Sequence, residues 1–128
     1  MSVDRIERLN SLLRRVIAEG MFQVMRGGAV GPGIFTVTGV SCGKDLRDAT
    51  VRVSVFGDAA MKETAMRRLR AHARDFQQLV AREVRMKFTP RLTFQLDESI
   101  EKGDEVLSLL AKLEGENKVE NENNKEDQ

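Results

Sequence analysis

The stretch Ala59–Met86, AAMKETAMRRLRAHARDFQQLVAREVRM, decides how the rest of the chain is read. Met61, Ala65, Leu69, Ala73, Phe76 and Val80 recur in steps of three or four, the spacing of one helix face. The opposite side carries Arg67, Arg70 and Arg74, with Arg82, Arg85 and Lys87 further along. Acids are few: Glu63, Asp75 and Glu83. One side is therefore expected to be buried and the other to present guanidinium groups, which fork onto phosphate oxygens. Asp75 followed by Gln78 has the form of a capping box. A kink or short break is expected near Ala73, Arg74 and Asp75, dividing the stretch into two helices.

Outward from this stretch, the flanking segments read as strands. Val51, Val53 and Val55 alternate with Thr50, Arg52 and Ser54, so Ala49–Phe56 is a strand with one apolar face. Ile34–Val40 reads as its partner, joined through Ser41–Asp48 as a hairpin. Gly57-Asp58 ends the second strand and caps the Ala59 helix. Beyond the helices, Leu92, Phe94 and Leu96 alternate with polar residues in a third strand, with Pro90 at its start, where no ladder donor is needed. Ser2–Gly20 reads as an amphipathic helix buried along Ile6, Leu9, Leu13, Val16 and Ile17, with Gly20 as its stop. Arg5, Arg8 and Arg15 fall on one flank of it.

The order helix, strand, strand, helix, helix, strand predicts an α+β fold. A three-stranded mixed sheet carries helices on one face, and the helical link places the second and third strands parallel. A glycine-rich loop covers Met21–Gly33. It does not match the dinucleotide fingerprint, and Gly39–Lys44 falls one residue short of a P-loop ending and runs into Asp45. The domain is expected to span residues 1–113, including a short helix near 104–113 built on Val106, Leu109, Leu110 and Leu113. Residues 114–128 read as a disordered acidic tail.

The chain has 128 residues and one cysteine, Cys42, which fits a single domain in a reducing cytoplasm and excludes an internal disulfide. No apolar run approaches a membrane span, and the N-terminus lacks a signal-peptide core. The net charge of +1 hides a split. Residues 1–98 hold 17 Lys and Arg against 11 Asp and Glu, a net of +6, while residues 99–128 hold 4 against 9, a net of −5. A basic body suggests a polyanionic partner.

Catalysis is hard to assemble from these residues. His72 is the only histidine and reads as a packed or edge residue, not a base. Cys42 has no second cysteine, and no zinc-ligand spacing occurs. Asp45/Asp48 and Asp97/Glu98 stand in turns, where acids are common. No Trp or Tyr is present and the six Phe mostly suit core positions, so base stacking is not expected as the main binding mode. Charge and shape remain, through contacts to phosphates. The residues expected to contact a polyanion are Arg5, Arg8, Arg15, Arg67, Arg70, Arg74, Arg82 and Arg85, with no metal, no cofactor and no catalytic residue. A second reading is a protein-interaction module docking through the polar sheet face at Thr36, Thr38, Arg52 and Thr93. A minor third is a small enzyme using Cys42.

Several segments together resemble a known family. They are Arg5-Ile6-Glu7-Arg8-Leu9; Phe35-Thr36-Val37-Thr38-Gly39-Val40-Ser41; Lys44-Asp45-Leu46; Ala49 through Gly57; and Pro90-Arg91-Leu92-Thr93-Phe94 with Asp97, Ser99 and Gly103. In order and spacing, over roughly residues 2–113, they resemble ribosome-binding factor A, the bacterial small-subunit assembly factor. The resemblance implies a type II KH fold. It implies binding to 16S ribosomal RNA in the immature 30S subunit through the arginines named above, and help with late rRNA maturation, including in the cold; in the alternative reading the protein-interaction module docks on a ribosomal protein or another assembly factor. It implies no catalysis; the protein is expected to be cytoplasmic and monomeric when free. The family carries Ala-x-Gly at the helix kink in place of the KH Gly-x-x-Gly turn. Here that position reads Ala73-Arg74-Asp75, without the glycine.

Overall fold

The computed structural model describes residues 3–26, 34–99, 110, 111 and 113. Six elements follow in the expected order: α1 (Val3–Val24), β1 (Phe35–Cys42), β2 (Asp48–Val55), α2 (Ala59–Ala71), α3 (Ala73–Glu83) and β3 (Arg91–Leu96). The chain divides into two units, Met1–Asp97 and Glu98–Gln128. All six elements belong to the first. In the second, Leu110, Ala111 and Leu113 are helical, while the rest of the expected helix near 104–113 and the tail at 114–128 lie outside the described residues. The glycines of the expected loop at 27–33 also lie outside them.

β2 is central, antiparallel to β1 and parallel to β3. Its alternating valines put Val51 and Val53 at 0% exposure, and Phe35, Val37, Val40, Leu92 and Phe94 share the same buried face. On the other face Thr36, Thr93 and Gln95 are exposed. The sheet is thus covered on one side, as the period-two pattern requires.

Strict alternation fails once, between Val37 and Val40. The register shifts there: Val37 pairs with Val53 and Gly39 pairs with Arg52, leaving Thr38 as the extra residue of a bulge. The insertion returns Val40 to the buried face opposite Val51. Thr38 then donates its hydroxyl to Arg52 O at 3.2 Å or to the Asp97 carboxylate at 2.5 Å. Gly39 leaves room for the Arg52 guanidinium, whose Nη2 takes up the space where a Cβ would stand.

The hinge into α2 follows the reading of Gly57-Asp58. Gly57 has φ +143°, which only glycine adopts without strain. The Asp58 carboxylate accepts from Met61 N at 2.9 Å, an N-cap. The buried stripe of α2 is Lys62, Ala65, Met66 and Leu69. Met61, expected on that stripe, is 48% exposed. It packs against Gly57 at the hinge, while Lys62 and Met66 join the expected Ala65 and Leu69, so the buried face is turned partly past the expected one.

The break between α2 and α3 falls at His72, and Ala73, Arg74 and Asp75 form the first turn of α3. The capping-box register is therefore corrected. Asp75 stands at the third helical position, not the cap, and its carboxylate reaches back 2.9 Å to His72 Nδ1. His72 has φ −97° and ψ 14°, ordinary for a non-glycine residue. The family glycine would fall at Asp75, which is helical here, so the position needs no left-handed residue and the turn forms without glycine.

α1 also departs from expectation. Gly20 does not stop it; the helix runs on to Val24, burying Gly20 and Met21. α3 crosses at this point, and Leu79 Cδ2 fills the space where a Gly20 Cβ would be. The glycine is a contact site. Gly20→Val is expected to cost about 1–3 kcal/mol by overpacking, read as a lower urea midpoint. Gly20→Ala should change little, because a helix-propensity gain of about 1 kcal/mol offsets displacing the flexible end of Leu79.

Candidate nucleic-acid interface

The eight expected arginines do not form one surface. Arg5 and Arg8, on the first turns of α1, meet Arg85 at a groove of about 580 Å³. Its floor is apolar, with Leu9 and Leu12 from α1, Leu46 from the β1–β2 turn and Met86 from the α3–β3 connection, and Phe88 of that connection stands at its side. Two further cations complete the rim: Lys87, read on the cationic side but outside the expected binding set, and Arg47, which the sequence reading missed; Asp45 is the one acid among the described residues that line it. Asp45 accepts from Arg47 N at 3.1 Å, closing the turn.

Arg15 and Arg82 lie in an adjoining hollow on the α1/α3 seam, which shares Leu12 with the groove. Both face carboxylates. Arg15 is 4.0 Å from Glu19 and Arg82 is 3.4 Å from Glu83. All four side chains are mostly exposed, so these pairs contribute little to stability and leave the arginines open to exchange for a stronger anion.

Arg67, Arg70 and Arg74 belong to a third region, on the outward side of α2 and the first turn of α3. All three are exposed. Arg70 also supports the fold, because its Nη2 donates to Phe94 O at 3.1 Å, on the edge of β3 away from β2. Gln77 acts on the same edge, donating to Pro90 O and accepting from Leu92 N. Two helix side chains thus stand in for a fourth strand and blunt an open edge.

The Phe residues divide differently from expectation. Phe35, Phe76 and Phe94 are buried, but Phe22, Phe56 and Phe88 are 64%, 80% and 55% exposed. Phe88 has Arg47 Cζ 5.1 Å and Lys87 Nζ 5.6 Å from its ring centroid. No local signal marks its exposure: Phe88 is in period-two phase with the buried Pro90, Leu92 and Phe94, but it lies ahead of β3, where strand alternation does not hold it.

The two residues weighed for catalysis both make contacts that hold the fold, Cys42 through its backbone and His72 through its ring. Asn10 Oδ1 accepts from Cys42 N at 2.9 Å, tying α1 to β1. Burial raises the Cys42 thiol pKa, the opposite of what a nucleophile needs. His72 closes the helix break with Asp75. Among the described residues, no group of three or more His, Cys, Asp or Glu is placed to hold a metal ion, and no helix is long and apolar enough to cross a membrane.

Comparison with known proteins decides the family. The sequence model of ribosome-binding factor A matches residues 5–110. The chain belongs to the ribosome-binding factor A family. A relative from Parasynechococcus marenigrum, itself named ribosome-binding factor A, is 36% identical over 118 residues, covering 92% of this chain and 88% of its own. The crystal structure of ribosome-binding factor A from Thermus thermophilus superposes with a TM-score of 0.61 at 31% identity, over 71% of this chain and 94% of that one. A homology model of the Thermus factor, fitted into a cryo-electron-microscopy map of its complex with the 30S subunit, gives 0.58 at 31% identity, over 71% and 93%. The α+β architecture expected from the element order, with the KH-like fold that the resemblance implied, is the architecture of this family.

Two outcomes follow from the side-chain environments. Arg70→Ala should lower stability by roughly 1 kcal/mol through loss of the edge hydrogen bond, whereas Arg67→Ala should stay within about 0.5 kcal/mol; chemical denaturation of both separates them. Iodoacetamide at pH 8 should alkylate Cys42 more slowly in the folded chain than in urea, because the raised pKa leaves less thiolate; equal rates would contradict the burial effect.

Proposed function

We propose that this protein is a non-catalytic assembly factor of the small ribosomal subunit. It binds 16S rRNA in the immature 30S particle and assists late rRNA processing, including in the cold, as a cytoplasmic monomer. Membership of the family and the Thermus factor's fit into a 30S complex support the partner. The observation that carries the mode of binding is the strip of cations along the α1/α3 seam: Arg5, Arg8, Arg85, Arg47 and Lys87 around the groove, then Arg15 and Arg82 beside it. Guanidinium groups on two packed helices and a hairpin turn form a shaped, positively charged surface suited to phosphates at fixed spacing.

Arg67, Arg70 and Arg74 form a secondary contact region in this reading, with Arg70 partly committed to the β3 edge. The turn at His72 to Asp75 is a poor place for close phosphate approach, because the Asp75 carboxylate stands there. The alternative docking face on the sheet has less to offer: Arg52 is engaged by Ser41 Oγ at 2.9 Å and lies over Gly39, and Thr38 is engaged by Asp97.

Phosphate binding releases counterions, so affinity for purified small subunits should fall steeply as salt rises. The double variant Arg8→Glu/Arg85→Glu should weaken co-sedimentation with 30S particles and flatten the log–log salt slope by roughly 1 for each phosphate no longer held. Arg67→Glu/Arg74→Glu should weaken it less. Binding that is indifferent to salt and to the Arg8/Arg85 reversal would overturn the phosphate reading.

A further inference from the structure

The groove between the start of α1, the β1–β2 turn and the α3–β3 connection has a chemistry that phosphate contact alone does not use. Its floor is Leu9, Leu12, Leu46 and Met86, and Phe88 stands open at its side. A surface built only for a duplex backbone needs cations, not an aliphatic floor of this size. Arg47 and Lys87 lie over the Phe88 ring, so charge and aromatic face are presented together. The turn is shaped to this end. Leu46 takes φ +60°, a left-handed conformation costly for leucine, and its side chain lines the groove. Hydrogen bonds from Leu46 N to Gly43 O at 3.0 Å and from Gly43 N to Asp48 O at 2.8 Å hold it there.

Single-stranded RNA is the polyanion that also carries flat apolar faces. We propose that this groove receives one unstacked nucleobase of single-stranded RNA against Phe88 and the aliphatic floor, with the flanking phosphates on Arg8, Arg47, Arg85 and Lys87. The site is separate from the α2/α3 turn. The proposal rests on the RNA-binding reading above and sharpens it: the groove selects an unpaired nucleotide, while the neighbouring arginines along the seam accept any phosphate. An acidic amphipathic peptide would also match a cationic rim and an apolar floor, but it makes no particular use of an aromatic ring paired with a guanidinium.

The chain has no Trp, so Phe88→Trp places a unique fluorophore in the groove. The probes are a short unstructured RNA, a duplex RNA of equal length, heparin as a polyanion without bases, and an acidic amphipathic peptide. The unaltered chain should prefer the single strand. Phe88→Ala should weaken single-strand binding by about 5- to 100-fold and leave duplex binding nearly unchanged, the range expected for removing one stacked base. Phe88→Leu should lose most of that affinity despite keeping apolar bulk, and the Trp emission should be quenched by the single strand but not by heparin. Because Phe88 is more than half exposed, the variants should melt with the parent, and circular dichroism checks this. RNA binding that ignores Phe88, or quenching by heparin equal to that by RNA, overturns the groove proposal alone. Quenching by the acidic peptide but not by RNA also overturns it, assigning the groove to a protein. Failure of the unaltered chain to bind either RNA overturns the RNA reading and this proposal with it.

Discussion

The structure depends on the close approach of α1 and α3, where Leu79 presses into the space that Gly20 leaves bare. A bulky side chain at that position would push the helices apart. Because they pack tightly there, Arg15 of α1 and Arg82 of α3 share one hollow on the seam, next to the groove where Arg5 and Arg8 meet Arg85 just beyond α3. Phe76, Leu79 and Val80 on one helix and Leu13, Val16 and Ile17 on the other are buried in the same cluster over the sheet. The seam is therefore continuous with the core, and the residues that carry charge are positioned by residues that carry none.

The sheet beneath is regular except where it serves its borders. The bulge at Thr38 keeps Val37 and Val40 on one face and sends a hydroxyl to Asp97, just past the end of β3. The open edge of β3 is closed by Gln77 and Arg70 from the helices. The β1–β2 turn stores a left-handed leucine. Only the last of these irregularities opens onto the groove; the first two close the sheet on itself.

Charge is distributed by the same logic. A net of +1 says nothing about a surface on which five cations border one groove while Asp45 is occupied by its own turn. Arg15 and Arg82, paired with Glu19 and Glu83, sit beside it in the open, where an ion pair exchanges readily for a phosphate. Arg70 shows the opposite arrangement, a guanidinium that contributes to the fold before it contributes to a surface.

The sequence by itself determined the element order, the one-sided sheet, the Asp58 cap, the break in the central helical stretch and the excess of basic residues over the first 98 positions. Each is written in short-range terms: a period of two or of 3.6, or a carboxylate three residues ahead of an amide. Tertiary structure alone decided that Gly20 is a helix-packing contact and not a stop, that Asp75 closes the turn from the third helical position, and that Arg5, Arg8 and Arg85 share a groove with Arg47 and Lys87 while Arg67 and Arg74 stand elsewhere. It also left Phe88 in the open. These outcomes depend on how two helices cross over a sheet, and that crossing is set by side-chain fit between segments some 60 residues apart in the chain, which no local period records.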